Sequence, residues 1–140
     1  MDIRELFRES ERHWSAKPGA NSEQMSLLIA SSRVSLPTQY LDLLRYSNGG
    51  EGPLALEPLW FALYSTSECI ELFHSDSAVA TSFPGFVFFG TNGGLEMIGF
   101  AITTDAPWRI VMLDPIAGTS SCVEIAPDIS AFIRQIGVEG

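Results

Sequence analysis

Two short runs have residue types and spacing that could do chemistry: SNGGEG, from Ser47 to Gly52, and TNGGLE, from Thr91 to Glu96. Each sets an Asn-Gly-Gly beside a carboxylate. Paired glycines bare the backbone, so such a run can cradle a phosphate, frame an active site or turn the chain. A phosphate loop needs a strand, then glycines, then a helix opening with a lysine or a bare N-terminus. The first run instead follows a helical pattern, and the second lies between two strand patterns with no lysine nearby. Both are therefore read as turns. Asn48, Gly49 and Gly50 fall where a helix needs a residue of positive φ to stop. Asn92, Gly93 and Gly94 fall where a hairpin reverses. Positive φ is expected at Gly49 and Gly93.

The other reactive side chains form no recognisable set. His13 ends a charged helical stretch and His74 a short acidic one, and neither has a nucleophile in its sequence context. Neither Gly-x-Ser-x-Gly nor His-Glu-x-x-His occurs. Glu96, Asp105 and Asp114 each sit at a strand end, where acids usually face water. Cys69 and Cys122 are far apart, lie in apolar runs and have no histidine at ligand spacing, so neither zinc nor any other cofactor is expected. Free thiols suit a reduced, cytoplasmic setting. Of the three tryptophans, Trp108 in the turn TDAPWRI is expected to be the most exposed, and exposed tryptophan is enriched at interface hot spots. Catalysis is not expected.

Such groups need a scaffold, and the composition supplies one. The chain has 140 residues, 46% apolar and 18% charged. That suits one domain spanning residues 1–140, with a core that needs neither metal nor disulfide. The formal net charge is −9. Residues 1–50 carry six basic and six acidic side chains; the remaining two basic and eleven acidic lie in residues 51–140. Phosphate backbones require the opposite sign, so direct nucleic-acid binding is not expected. The N-terminus has no apolar signal segment. The uncharged stretch Ser77–Leu95 holds Pro84, four glycines and five Ser, Thr or Asn residues, a poor membrane span.

Periodicity gives the elements. Ile3, Leu6, Phe7, Ser10 and Trp14 share a helical face, and Met25, Leu28 and Ile29 follow with Ser22 as N-cap. Ser15–Ser22 reads as a loop. Leu36, Tyr40, Leu43, Leu44 and Ser47 line a third helix opening at Pro37. Pro53–Ser65 is strand-like but broken by Pro58, hence an edge strand or two short pieces. Ser65 and Glu68 form a capping box for a short helix. FVFFG, LEMIGFAIT, RIVMLDP and SSCVEIAP read as strands. Asp128 caps a closing helix over Ile129, Phe132, Ile133 and Ile136, stopped at Gly137. The predicted class is α+β: N-terminal helices on a mostly antiparallel sheet of about four to six strands, with a C-terminal helix. The expected core contains Leu43, Leu44, Phe88, Ile98, Phe100, Val111 and Phe132.

The order LPTQYLDLLRYSNGGEG, an acidic segment, FVFFGTNGGLEMIGFAI, VMLDP and ISAFIRQI resembles the SUKH superfamily. Leu36, Pro37, Tyr40, Asn48, Gly49, Gly50, Gly90, Gly93 and Gly94 fall on its pattern, over roughly Ser22 to Ile136. The helix before Leu-Pro often carries a glutamate in that superfamily; here it reads Leu28-Ile29-Ala30. The resemblance implies an α+β domain without known catalysis. Fungal members are cell-wall assembly (glucan synthesis) regulators that act as interaction scaffolds. Bacterial members look like immunity proteins that bind a cognate toxin, often a nuclease. Three readings follow: an immunity protein, a general interaction module, or a small hydrolase or ligand-binding domain. For a basic toxin partner the expected contact is the segment bearing Glu51, Glu57, Glu68, Glu71 and Asp76, which has no lysine or arginine. Trp108 and its loop are the alternative site.

Overall fold

The computed structural model describes residues 2–9, 12–103 and 105–140. The described elements run α1 (Ile3–Glu9), β1 (Ser15–Ala16), α2 (Ser22–Ser31), α3 (Thr38–Tyr46), β2 (Gly50–Pro53), β3 (Trp60–Leu63), α4 (Thr66–Phe73), α5 (Ala78–Ser82), β4 (Phe86–Thr91), β5 (Met97–Ala101), β6 (Ile110–Leu113), a 3-10 turn (Thr119–Ser121), β7 (Val123–Ala126) and α6 (Ile129–Ile133). The seven strands form one sheet in chain order, every pair antiparallel. The class is α+β as expected, with seven strands rather than four to six.

Each difference from the sequence reading has a physical cause. Ser15 and Ala16 are exposed and carry no alternation, so nothing local marks β1; pairing with Glu51 and Gly50 makes it a strand. Trp14 lies beyond α1 instead of on its face, and Ser10 lies outside the described residues. Pro53–Ser65 is two pieces, both inside the sheet, with Pro58 in the connecting loop; the edges are β1 and β7. The N-cap of α2 is Asn21, whose side chain accepts from the Gln24 N–H, while the Gln24 side chain accepts from the Asn21 N–H. That reciprocal pair satisfies two helix-end donors, which Ser22 would not. The capping box at Ser65–Glu68 and the cap at Asp128 form as read.

The sheet separates two apolar clusters. On one face Phe61, Leu63, Val87, Phe89, Ile98 and Phe100 meet α1, α2, α3 and α6, burying Phe7, Leu28, Tyr40, Leu43 and Phe132. Every residue of the expected core is buried. The aromatic centre is continuous: Phe89 lies 4.8 Å from Phe100, 5.4 Å from Tyr40 and 5.7 Å from Phe132 between ring centroids. On the other face a smaller cluster of Phe83, Phe88, Met97 and Leu113 is roofed by Leu72 and Val79 of α4 and α5. A β-bulge between Phe88 and Gly90 shifts the β4 register. It lets Val87, Phe89 and Gly90 face the larger cluster while Phe88 and Thr91 face away.

Candidate functional site

The second face of the sheet is only half covered. Ser15 pairs with Glu51, Glu51 with Ala62, and Ala62 with Thr91, so the four form one row across β1 to β4. Directly opposed residues point to the same face. The row continues through Met97 and Leu113 under the roof of the smaller cluster. At the β1–β3 end no such roof is formed among the described residues. Strand β3 alternates Trp60 exposed, Phe61 buried, Ala62 half-buried, Leu63 buried, and β2 alternates likewise with Glu51 exposed and Gly52 buried. Trp60, Ala62, Glu51 and Pro53 thus share the open side, with Trp60 39% exposed.

Two clefts open onto this surface. One, of about 880 Å³, is floored by Ser15, Ala62 and Thr91 and walled by Lys17, Asn21, Gln24, Asn48, Tyr64 and Glu68. The other, of about 550 Å³, lies between Trp60, Pro53, His13 and Glu139. Ser15 and Glu51 line both, so the two meet at that pair.

Both Asn-Gly-Gly runs border this open face. After α3 the chain takes an extended C-cap at Ser47, then positive φ at Gly49 (108°) and Gly50 (109°). These values turn the chain directly into β2. Asn48 acts differently from the helix stop expected of it: its carboxamide oxygen accepts the Thr66 N–H at 2.7 Å, satisfying a first-turn donor of α4. Ser47 is fully buried; its hydroxyl donates to the Gly49 carbonyl at 2.6 Å and accepts from Trp14 Nε1 at 3.3 Å and the Lys17 N–H at 3.1 Å. One hydroxyl thereby ties β1 to the turn. The second run reverses β4 into β5 through five residues, 92–96, closed by the Asn92 N–H on the Glu96 carbonyl. Gly93 has φ 84°, and a Cβ there would come within 2.7 Å of Trp60 Cδ1. The bare glycine lets the hairpin tip lie against the indole.

The acids expected to act together are separated. Glu51 and Glu68 share the larger cleft, facing Lys17, which the linear segment does not contain. Glu57 sits in the β2–β3 loop, at the opposite end of β3 from α4. Glu71 is exposed late in α4, and Asp76 beyond it lies 3.8 Å from His74. The Glu68 carboxylate also caps α4 by accepting the Ser65 N–H. Trp108 is half-buried, its ring 5.7 Å from Phe100, so the more exposed tryptophan is Trp60 rather than Trp108. The alternation WFAL, with large apolar residues at Phe61 and Leu63, was the signal that set Trp60 outward; Pro58 masked it by breaking the pattern.

Three further carboxylates serve the fold. Asp114 accepts from the Ile116 N–H, Glu96 from the Asn92 amide and Asp128 from the Ala131 N–H. Burial pushes the Cys69 thiol up to about 12, with Tyr40 hydroxyl 3.3 Å away. Burial likewise raises Tyr64 to about 12, helped by Cys69 and Glu68. Thiolate chemistry is thus suppressed at Cys69. Among the described residues no group of three or more His, Cys, Asp or Glu could hold a metal ion, and no helix is long and apolar enough to cross a membrane. A separate apolar hollow of about 480 Å³ lies between Pro37, Phe100, Pro107, Trp108 and Ile129.

No curated protein matches the sequence. A family model does, over residues 19–135. That span starts at the loop before α2, includes both glycine runs and the sheet from β2 to β7, and ends after α6. With most of its length matched, the chain belongs to the SMI1 / KNR4 family (SUKH-1).

Proposed function

We propose that this chain is a non-catalytic protein-binding domain, and that it serves as an immunity protein, binding a cognate toxin and neutralising it by occupancy. The observation that carries the reading is the charge asymmetry of a member of this family. Residues 51–140 hold eleven acidic and two basic side chains, and the acids Glu51 and Glu68 stand at an open cleft. An enzyme that cuts or binds nucleic acid presents a basic surface, and an acidic domain covers such a surface with fast, steered association. The polar groups around the clefts also favour binding over turnover. Asn48 and Glu68 are committed to helix-end N–H groups.

The test is co-expression of the chain with the toxin domain encoded beside its gene. The expected result is restored growth and a purified one-to-one complex that inhibits the toxin in vitro. A complex with a host regulator and no protection from the toxin would mark the scaffold role instead. Growth that stays arrested beside a fully expressed chain would refute the immunity reading.

A further inference from the structure

Resting on that reading, we propose that the uncovered half of the sheet is the docking surface, and that its occupant is a basic, extended segment of the partner protein with an arginine or lysine side chain seated on Trp60 beside Glu51. The geometry supplies three separate reasons.

The first is the missing roof. The row Ser15–Glu51–Ala62–Thr91 is floor on the β1–β4 side, whereas its continuation through Met97 and Leu113 is buried beneath α4 and α5. Apart from Glu51 the floor is made of small side chains, Ser15, Ala62 and Thr91, so a chain can lie close to the sheet beside that carboxylate. Four strands about 4.8 Å apart span roughly 14 Å, which about four extended residues would cross.

The second is the indole. Trp60 is exposed on the same side as Glu51, and Gly93 backs its ring from the hairpin tip. A tryptophan held by packing on one edge loses little freedom on binding, which is how hot-spot residues act. A flat ring next to a carboxylate also suits a cation: the ring face and the anion attract the same charge.

The third is the sign of the rim. Glu51, Glu68 and Glu139 stand on the cleft walls against Lys17, with His13 exposed nearby. Arg12 also borders this surface and keeps its charge while its guanidinium donates to the Ile133 and Ile136 carbonyls, so these three carboxylates face two cations and the rim stays net acidic. A nucleic acid would bring phosphate against three carboxylates. A second copy would bring another chain of charge −9. A basic protein segment is the occupant whose charge matches.

The test has two arms. In the first, ¹⁵N-labelled protein is titrated with a blocked Gly-Arg-Gly-Arg-Gly peptide and with its Gly-Glu-Gly-Glu-Gly counterpart. The arginine peptide is expected to shift the amides of Ser15, Glu51, Ala62, Thr91 and Gly93, and to lose affinity as salt rises. The glutamate peptide is expected to shift none of them. Trp60→Ala and Glu51→Gln are each expected to weaken binding about tenfold or more, the hot-spot range. Glu51→Gln is isosteric at an exposed position, so it keeps the fold should Trp60→Ala disturb it. Shifts centred on Glu71 and Asp76, or on the Trp108 hollow, would overturn the proposal. So would equal binding by Glu51→Gln, or a sedimentation dimer that Trp60→Ala dissolves. In the second arm the same variants enter the toxin co-expression assay. Protection by wild type that both variants retain in full would overturn the surface and leave the immunity reading standing. Peptide binding at this surface with no protection by wild type would support the surface and refute the immunity reading.

Discussion

Phe100→Ala isolates what the aromatic centre contributes. The side chain is fully buried and touches three rings: Phe89 at 4.8 Å, Tyr40 at 5.7 Å and Trp108 at 5.7 Å between centroids. Truncating a buried phenylalanine costs roughly 3–5 kcal/mol, the sum of a transfer loss and a cavity left behind. The structure places Phe100 toward the lower end, because it already borders the apolar hollow with Pro37, Pro107 and Trp108. The space left by truncation would join that hollow, and Trp108 can settle into it, so part of the cavity cost is relieved. Phe132 is the matched comparison. It is also fully buried, and it is wedged between Phe61 at 4.9 Å and Phe89 at 5.7 Å. We expect a loss of about 3 kcal/mol for Phe100→Ala and about 5 kcal/mol for Phe132→Ala. Urea melts with an unchanged slope measure both. A loss below about 1 kcal/mol at Phe100 would show that its burial does not stabilise the core as argued. A larger loss at Phe100 than at Phe132 would refute relief by the hollow.

Ser47→Ala removes three hydrogen bonds at a fully buried hydroxyl and should cost about 1–3 kcal/mol; hydrogen exchange should show β1 loosening first, and an unchanged melt would refute the tie. Asn48→Ala leaves the Thr66 N–H unsatisfied and should cost about 1 kcal/mol, read as faster exchange in the first turn of α4. Gly93→Val meets both a φ of 84° and the Trp60 ring, so the melt should fall and Trp60 emission should change; normal stability would mean the turn does not need glycine. Cys69 and Tyr64 have thiol and phenol groups raised to about 12 from ordinary values of 9.0 and 10.0. Both are neutral when protonated, so their contribution is complete below about pH 9 and falls as pH rises toward 12, where the unfolded chain ionises first. The urea midpoint should drop between pH 8 and pH 11, and less so in Cys69→Ala; a flat profile would contradict the buried thiol.

The sequence determined the parts of the fold that depend on local chemistry. The Ser65–Glu68 capping box and the Asp128 cap form because a side chain and an N–H three residues on are in reach whatever surrounds them. Strand β4 was legible because a run such as FVFFG can be satisfied only by burial on both sides. The glycine runs were legible as turns, since positive φ at Gly49 and Gly93 follows from the chain reversing beside them. Family membership was legible from the spacing of the same fold markers. The surface was not. Strand β1 exists because two exposed residues meet β2, a pairing that spans more than thirty positions. Which acids stand together depends on strand register: Glu51 and Glu68 meet across a cleft, and Glu57 is carried to the far end of β3. Trp60 faces outward because Phe61 and Leu63 claim the inward side and α5 roofs only the other half of the sheet. Caps and turns are settled within a few residues, but the exposed face of a sheet is whatever distant segments fail to cover, and only the assembled tertiary structure decides that.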